Sequence, residues 1–196
     1  VTSDTNAIYY ISQSALPGLV AGTSDPSFTK VATGFVASKT PNDSWSVGSK
    51  GFIAGNGGYV YAVTDPTSGV TVLDAGNATT ENLNAIHSPD GTVIVAGGAS
   101  GAFVYSLDGE TFALAAAPTA DNLLCVWAVD KRVFWAGDDA GKLWLSTDAG
   151  TTWTEKTFTG SGSGEVNDIA FANATEMFMV HDTSGNLGRV LRSYDA

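Results

Sequence analysis

Twenty carboxylates, nine basic side chains, two histidines and one cysteine are the groups in this 196-residue chain that could do chemistry. Paired carboxylates would suit glycoside hydrolysis, one as acid and the other as nucleophile or base. Nearly all of the fifteen Asp and five Glu, however, stand in turn-forming contexts such as Asp90-Gly91, Asp138-Asp139 and Asp182, where a carboxylate accepts backbone N–H bonds. A nucleophilic triad needs a histidine beside a serine or cysteine. His87 closes one strand-like run and His181 another, and neither a Gly-x-Ser-x-Gly elbow nor a Cys–His pair accompanies them. Cys125, the single cysteine, sits in Leu-Leu-Cys-Val-Trp and reads as a buried, inert thiol with no disulfide partner. No His/Cys cluster or calcium-loop spacing is present. Gly55-Asn56-Gly57-Gly58 and Gly97-Gly98-Ala99-Ser100-Gly101 precede strand-like rather than helical runs, so they read as hairpin turns and not as phosphate cradles. No catalytic residue, metal or cofactor is expected.

The chain that must position these groups is 43% hydrophobic and only 15% charged, with 23 glycines, a composition for a tight, turn-rich globular fold. Its length is enough for a substantial core. A net charge of −11 repels phosphate backbones and anionic headgroups, so nucleic acid is not an expected partner. No apolar run approaches the roughly eighteen residues of a membrane span, and membrane insertion is not expected either. The first residue is Val1, which suggests a processed or partial product.

A repeat organises the whole sequence. A glycine followed seven residues later by an aspartate, across a strand-like stretch, occurs at Gly18–Asp25, Gly58–Asp65, Gly101–Asp108, Gly141–Asp148 and Gly188–Asp195. The aspartates are 40, 43, 40 and 47 residues apart. Around each lie short β-branched or aromatic runs bounded by Gly, Asp, Asn and Ser, the pattern of strands and tight turns. Examples are AIYYIS, GFIAGN, TVIVAGG, RVFWAGDD and EMFMVHD, with SFTKVA, GVTVLDA, TFALAA and TWTEKTF after the aspartates. Four short strands per unit of about 40 residues predict an all-β fold, a β-propeller of four-stranded antiparallel blades. The blades are expected near 1–42, 43–82, 83–122, 123–165 and 166–196, as one propeller domain or segment. In this assignment AIYYIS is a second strand, SFTKVA a fourth strand, and the first and last blades are incomplete. Incomplete blades leave open edges, which protein partners or copies of the chain would close by adding strands.

Ser146-Thr147-Asp148-Ala149-Gly150-Thr151-Thr152-Trp153 resembles the Asp-box, or bacterial neuraminidase repeat, of sialidase-like propellers. Ser106-Leu107-Asp108-Gly109-Glu110-Thr111-Phe112 is similar with one residue missing, Thr23-Ser24-Asp25-Pro26-Ser27-Phe28 is more degraded, and Ser193-Tyr194-Asp195-Ala196 matches the first half. The resemblance implies a structural role at the rim. Ser106, Asp108, Ser146, Asp148, Ser193 and Asp195 would hold the turn, Gly150 would take a positive φ, and Phe112 and Trp153 would fold into the seam between blades.

The same resemblance brings in glycoside hydrolases, which the residues then test. Sialidases use three converging arginines, a tyrosine nucleophile with its glutamate, and an acid/base aspartate. Here there are only Arg132, Arg189 and Arg192, two of them on one expected strand, and no Arg-Ile-Pro motif. Polar residues of the innermost strands, Asn84, Asn167 and Asp168, with Trp45 and Trp127, make a candidate axial contact surface. Their alternative role is to satisfy backbone groups or pack between blades. The expected function is thus a non-enzymatic scaffold or interaction module. Its acidic, Lys-poor character suits an extracellular or virion protein such as a phage tail or decoration component. The alternative is a glycan-binding or sialidase-like protein, with Trp45, Tyr59, Tyr61, Trp135 and Trp144 stacking on sugars, although aromatics on strands more often pack between blades. A third reading is a factor like that of photosystem II assembly, whose repeats carry similar Gly-x-x-Gly and Asp-Gly-Gly-x-Thr-Trp runs. That family's arginine-rich patch has no counterpart here.

Overall fold

A computed structural model describes residues 9–10, 29–30, 35–36, 39–64, 69–159, 161–173, 175–182 and 188–193. The turn signals cut the chain into short strands, and each run of them folds as an antiparallel meander. A two-stranded ladder, β1 (Tyr9–Tyr10) with β2 (Thr29–Lys30), comes first. Three four-stranded sheets follow. They are β3 (Pro41–Val47), β4 (Lys50–Gly55), β5 (Tyr59–Val63) and β6 (Thr71–Ala75); β7 (Leu83–His87), β8 (Ile94–Gly98), β9 (Phe103–Ser106) and β10 (Ala113–Leu114); and β11 (Leu123–Ala128), β12 (Phe134–Asp138), β13 (Leu143–Ser146) and β14 (Thr154–Lys156). The last sheet has three strands among the described residues, β15 (Val166–Asn173), β16 (Glu176–His181) and β17 (Arg189–Ser193).

The core lies between sheets, not within them. Phe52, Val60 and Ala62 meet Leu83, Ile94 and Val104 in one seam. Val95 and Phe103 meet Phe134 and Ala136 in the next, and Trp135 and Leu143 meet Ile169, Met177 and Met179 in the third. β8 and β12 are buried at every residue, because each sheet is sandwiched by neighbours on both faces. That explains why these strands, Ile-Val-Ala-Gly-Gly and Phe-Trp-Ala-Gly-Asp, show no alternation of apolar and polar residues. The glycines are required by close approach. A Cβ on Gly97 would stand 2.5 Å from Val126 Cγ1, and one on Gly137 would stand 2.4 Å from Val166 Cγ1. β16 differs, alternating buried Met177, Met179 and His181 with outward Phe178 and Val180.

Two features depart from the sequence reading. Tyr9–Tyr10 pairs directly with Thr29–Lys30, although a second and a fourth strand are not neighbours in a four-stranded meander. The Thr23–Phe28 box lacks the glycine that follows the aspartate in the Ser106–Phe112 and Ser146–Trp153 boxes, so its pattern does not fix a register. The two glycine-rich stretches are hairpin turns, as expected, each closing an antiparallel pair of second and third strands through a single 3-10 turn, Asn56–Gly58 and Ala99–Gly101. Finally, β10 is only two residues long and β14 three. Asp25, Asp65, Asp195 and the Thr23–Phe28 box lie outside the described residues.

Candidate functional site

The first strands of the four sheets, β3, β7, β11 and β15, converge on a cleft of about 540 Å³ lined by Asn42–Trp45, Asn84–His87, Leu124–Trp127 and Asn167–Ala170. Four of the five residues assigned to an axial surface have well-defined roles in its walls. Asn84 Nδ2 donates to the Leu123 carbonyl at 3.0 Å. Asn42, which the sequence reading passed over, makes the same bond one seam earlier, to the Leu83 carbonyl at 2.8 Å. At the next seam a leucine, Leu124, stands where the asparagine would be, and Cys125 Sγ instead lies 3.5 Å from the Val166 carbonyl. Burial pushes the Cys125 thiol well above its ordinary value, with the charges of Asp168 and Asp138 adding to the effect. Asn167 occupies the corresponding place on β15 and is exposed, with no hydrogen-bond partner among the described residues. An asparagine recurring at the same point of these inner strands was the available sequence signal for this interlock.

The aromatic residues of the inner strands stack across the seams. His87 lies on Trp127 with ring centroids 3.7 Å apart, Trp45 packs against both, and Phe171 extends the series. Trp45 Nε1 donates to the Ser88 carbonyl at 2.8 Å. His87 Nδ1 accepts from Ala128 N–H at 3.1 Å, so the proton of the neutral ring resides on Nε2. Burial lowers the His87 pKa to about 3. Trp45, Asn84 and Trp127 are therefore engaged in joining sheets, which is the structural alternative to ligand contact. Asp43 Oδ2 accepts from Ile86 N–H at 2.9 Å, again across a seam. Desolvation raises the Asp168 pKa, opposed by the Ile169 N–H bond, with the Asp43 charge contributing a smaller upward push.

At the rim, the Ser106–Phe112 and Ser146–Trp153 turns are built alike. Ser146 Oγ donates to Asp148 Oδ1 and accepts from Gly150 N–H. Asp148 also takes the Thr152 hydroxyl and N–H, which hold its pKa down at about 2. Gly150 has φ 80. Ser106 and Asp108 repeat these contacts, and the N–H groups of Thr111 and Glu110 hold the Asp108 carboxyl well below the usual range. Trp153 crosses to the preceding sheet, its Nε1 donating to the Ala116 carbonyl at 2.7 Å and its ring 4.8 Å from Phe103. Phe112 packs against the seam before that. Ser193 ends β17, and the rest of its box lies outside the described residues.

Two of the aromatics named as sugar platforms, Tyr61 and Trp135, are buried between sheets. Asp138 has the turn role expected of it, accepting Ala140 N–H and Lys142 N–H, but is also buried and accepts Trp144 Nε1, which the turn pattern did not indicate. His181, at the matching place on β16, is fully buried with both ring nitrogens unpaired among the described residues. Among those residues no group of three or more His, Cys, Asp or Glu is placed to hold a metal ion.

No protein-family model matches the chain, and no curated protein matches it in sequence. Solved structures do match in shape. The computationally designed Ika4 protein aligns with a TM-score of 0.62 at 13% identity, over 84% of this chain and 96% of that one. An ancestral GH74 enzyme aligns with a TM-score of 0.60 at 12% identity, over 83% of this chain but 25% of the enzyme. YCF48 from Cyanidioschyzon merolae aligns with a TM-score of 0.46 at 14% identity, over 86% of this chain and 73% of that one. The likeness to Ika4 and to the GH74 enzyme is one of fold, and with the four-stranded meanders it makes this chain an all-β protein, a β-propeller of four-stranded antiparallel blades.

Proposed function

We propose that this propeller is a non-enzymatic scaffold, extracellular or part of a virion, that assembles with copies of itself through the outward face of its fifth sheet. One contrast carries the reading. In register, Phe178 and Val190 correspond to Trp135 and Leu143 of the preceding sheet. Trp135 and Leu143 are 4% and 3% exposed, whereas Phe178 and Val190 are 36% and 73% exposed, with Val180 at 40%. An apolar sheet face of this kind is a surface for association. The face carries both signs of charge in the Arg192–Glu176 pair, which suits a self-complementary contact in which each copy offers what the other needs.

Sedimentation velocity across a concentration series tests this. The native chain is expected to self-associate and Val190→Lys to sediment as a monomer with an unchanged far-UV spectrum. A native chain that stays monomeric at every concentration, or an assembly indifferent to V190K, would overturn it.

A further inference from the structure

The axial cleft changes character along its length. Each of the four first strands that line it carries a β-bulge at the same point, at Asn42, Asn84, Leu124 and Asn167, so the residues that follow stand at matching levels. The first level brings the carboxylates of Asp43 and Asp168 to the cleft from the second and fifth sheets. The next is apolar, with Ile86, Val126 and Ile169 all buried. The level beyond, two residues and about 7 Å from the carboxylates, has His87 packed with Trp45 and Trp127.

Both ends of the cleft are incompletely satisfied. Asp43 accepts Ser44 N–H and Ile86 N–H, and Asp168 accepts Ile169 N–H through Oδ1 alone, so every donor is neutral. No lysine or arginine is among the described residues that line the cleft. Besides desolvation, the largest cause, the charge of Asp43 raises the Asp168 pKa, so the two carboxylates feel one another with no cation between them. At the other end His87 is 2% exposed. Its Nδ1 accepts from Ala128 N–H, but its Nε2–H has no partner among the described residues. An unpaired donor on so deeply buried a side chain calls for an acceptor.

We infer that the cleft receives an arginine side chain of a partner protein, its guanidinium bridging Asp43 and Asp168 and the carbonyl of the same residue accepting the His87 Nε2–H. The planar fork of five N–H donors reaches two carboxylates on different sheets, which a compact ammonium does not. The methylenes of the side chain cross the apolar level, and the carbonyl comes to the donor at the far end. The net charge of −11 draws a basic partner toward the chain.

This goes beyond the self-assembly reading and stands at a different place, so the two fail separately. The probe is a blocked Gly-Arg-Gly peptide, titrated into the chain by calorimetry and followed through the indole N–H resonances. Saturable one-to-one binding is expected, with a shift at Trp127 and none at Trp153 on the rim. Replacing the arginine of the peptide by citrulline, which keeps the shape and loses the charge, should weaken binding at least tenfold, as should Asp168→Asn. His87→Phe should weaken it about fivefold and leave the preference for arginine over citrulline intact. Ala170→Phe, which narrows the cleft from the fifth sheet, serves should Asp168→Asn misfold, and should abolish binding. Glu155→Gln, an exposed carboxylate on β14, and Val190→Lys should leave binding unchanged. Absence of saturable binding, equal binding of the citrulline peptide, or binding indifferent to both Asp168→Asn and Ala170→Phe would each overturn the inference.

Discussion

The axis and the rim of this propeller join the same sheets by opposite chemistry. At the axis most seam contacts are made by neutral groups, the Asp43 carboxylate, which accepts Ile86 N–H, being the exception. Amide side chains reach carbonyls one sheet away, an uncharged His87 lies stacked on Trp127, and a thiol faces the Val166 carbonyl. At the rim the turns are held by ionised aspartates that collect N–H and hydroxyl donors, and one aromatic per turn crosses to the neighbouring sheet. Neutral groups predominate where sheets crowd together and a bare charge would be poorly solvated, and a carboxylate buried there, such as Asp138, is surrounded by donors, whereas the turn aspartates of the rim stand where water still reaches them. The fifth sheet has a counterpart of the axial asparagines in Asn167, which is exposed.

The largest expected effect separates the regions by pH. His87 has a folded pKa of about 3 against an ordinary 6.5. Below pH 6.5 the unfolded chain therefore takes up a proton that the folded chain refuses. The stabilisation is complete above pH 6.5 and is lost as pH falls toward 3, at about 1.4 kcal/mol per pH unit. Asp148 has a folded value of about 2 against 3.8. Its contribution is complete above about pH 4 and fades between 4 and 2. Urea unfolding at intervals from pH 7 to pH 3 should show the upper window flatten in His87→Phe and persist in Asp148→Asn. The same slope above pH 4 in both variants would remove the axis as its source.

Trp153→Ala tests the rim seam at the next level. The substitution removes a half-buried indole from Phe103 and the bond to the Ala116 carbonyl, and should cost about 2 to 3 kcal/mol in chemical denaturation. Trp153→Phe keeps the ring contact and loses only the bond, so it should cost about 1 kcal/mol. Equal losses for the two would mean that the ring packing contributes little.

The rim was far more legible in the sequence than the axis. Ser146, Asp148, Gly150 and Trp153 act within eight consecutive residues, so their spacing alone records the turn. The axial interlock joins Asn84 to Leu123, 39 residues away, and Asn42 to Leu83, 41 away. Single asparagines among many polar residues do not announce such partners. The strand runs pointed to the propeller because burial on both faces leaves long apolar stretches in β8 and β12. Tyr61 and Trp135 pack between sheets, the commoner fate of a strand aromatic, while the sequence pattern by itself does not separate that fate from a solvent-facing one. The first repeat gave the wrong strand pairing because its box lacks the glycine that follows the aspartate in the Ser106–Phe112 and Ser146–Trp153 boxes.

The smallest effect isolates what a neighbouring sheet adds. Asn84→Ala removes a bond across a closed seam and leaves the Leu123 carbonyl unpaired, at a cost of about 1 kcal/mol. Asn167→Ala changes an exposed group with no partner among the described residues and should stay within about 0.5 kcal/mol of the native chain. That difference holds for the dispersed chain in thermal or urea unfolding at low concentration. When the outward face of the fifth sheet is covered by a second copy, Asn167 comes to stand at a closed seam as Asn84 does, and its substitution should then destabilise in proportion to the assembled fraction. A cost for Asn167→Ala equal to that of Asn84→Ala at every concentration would mean that the β15 side of the axis is already closed within a single chain.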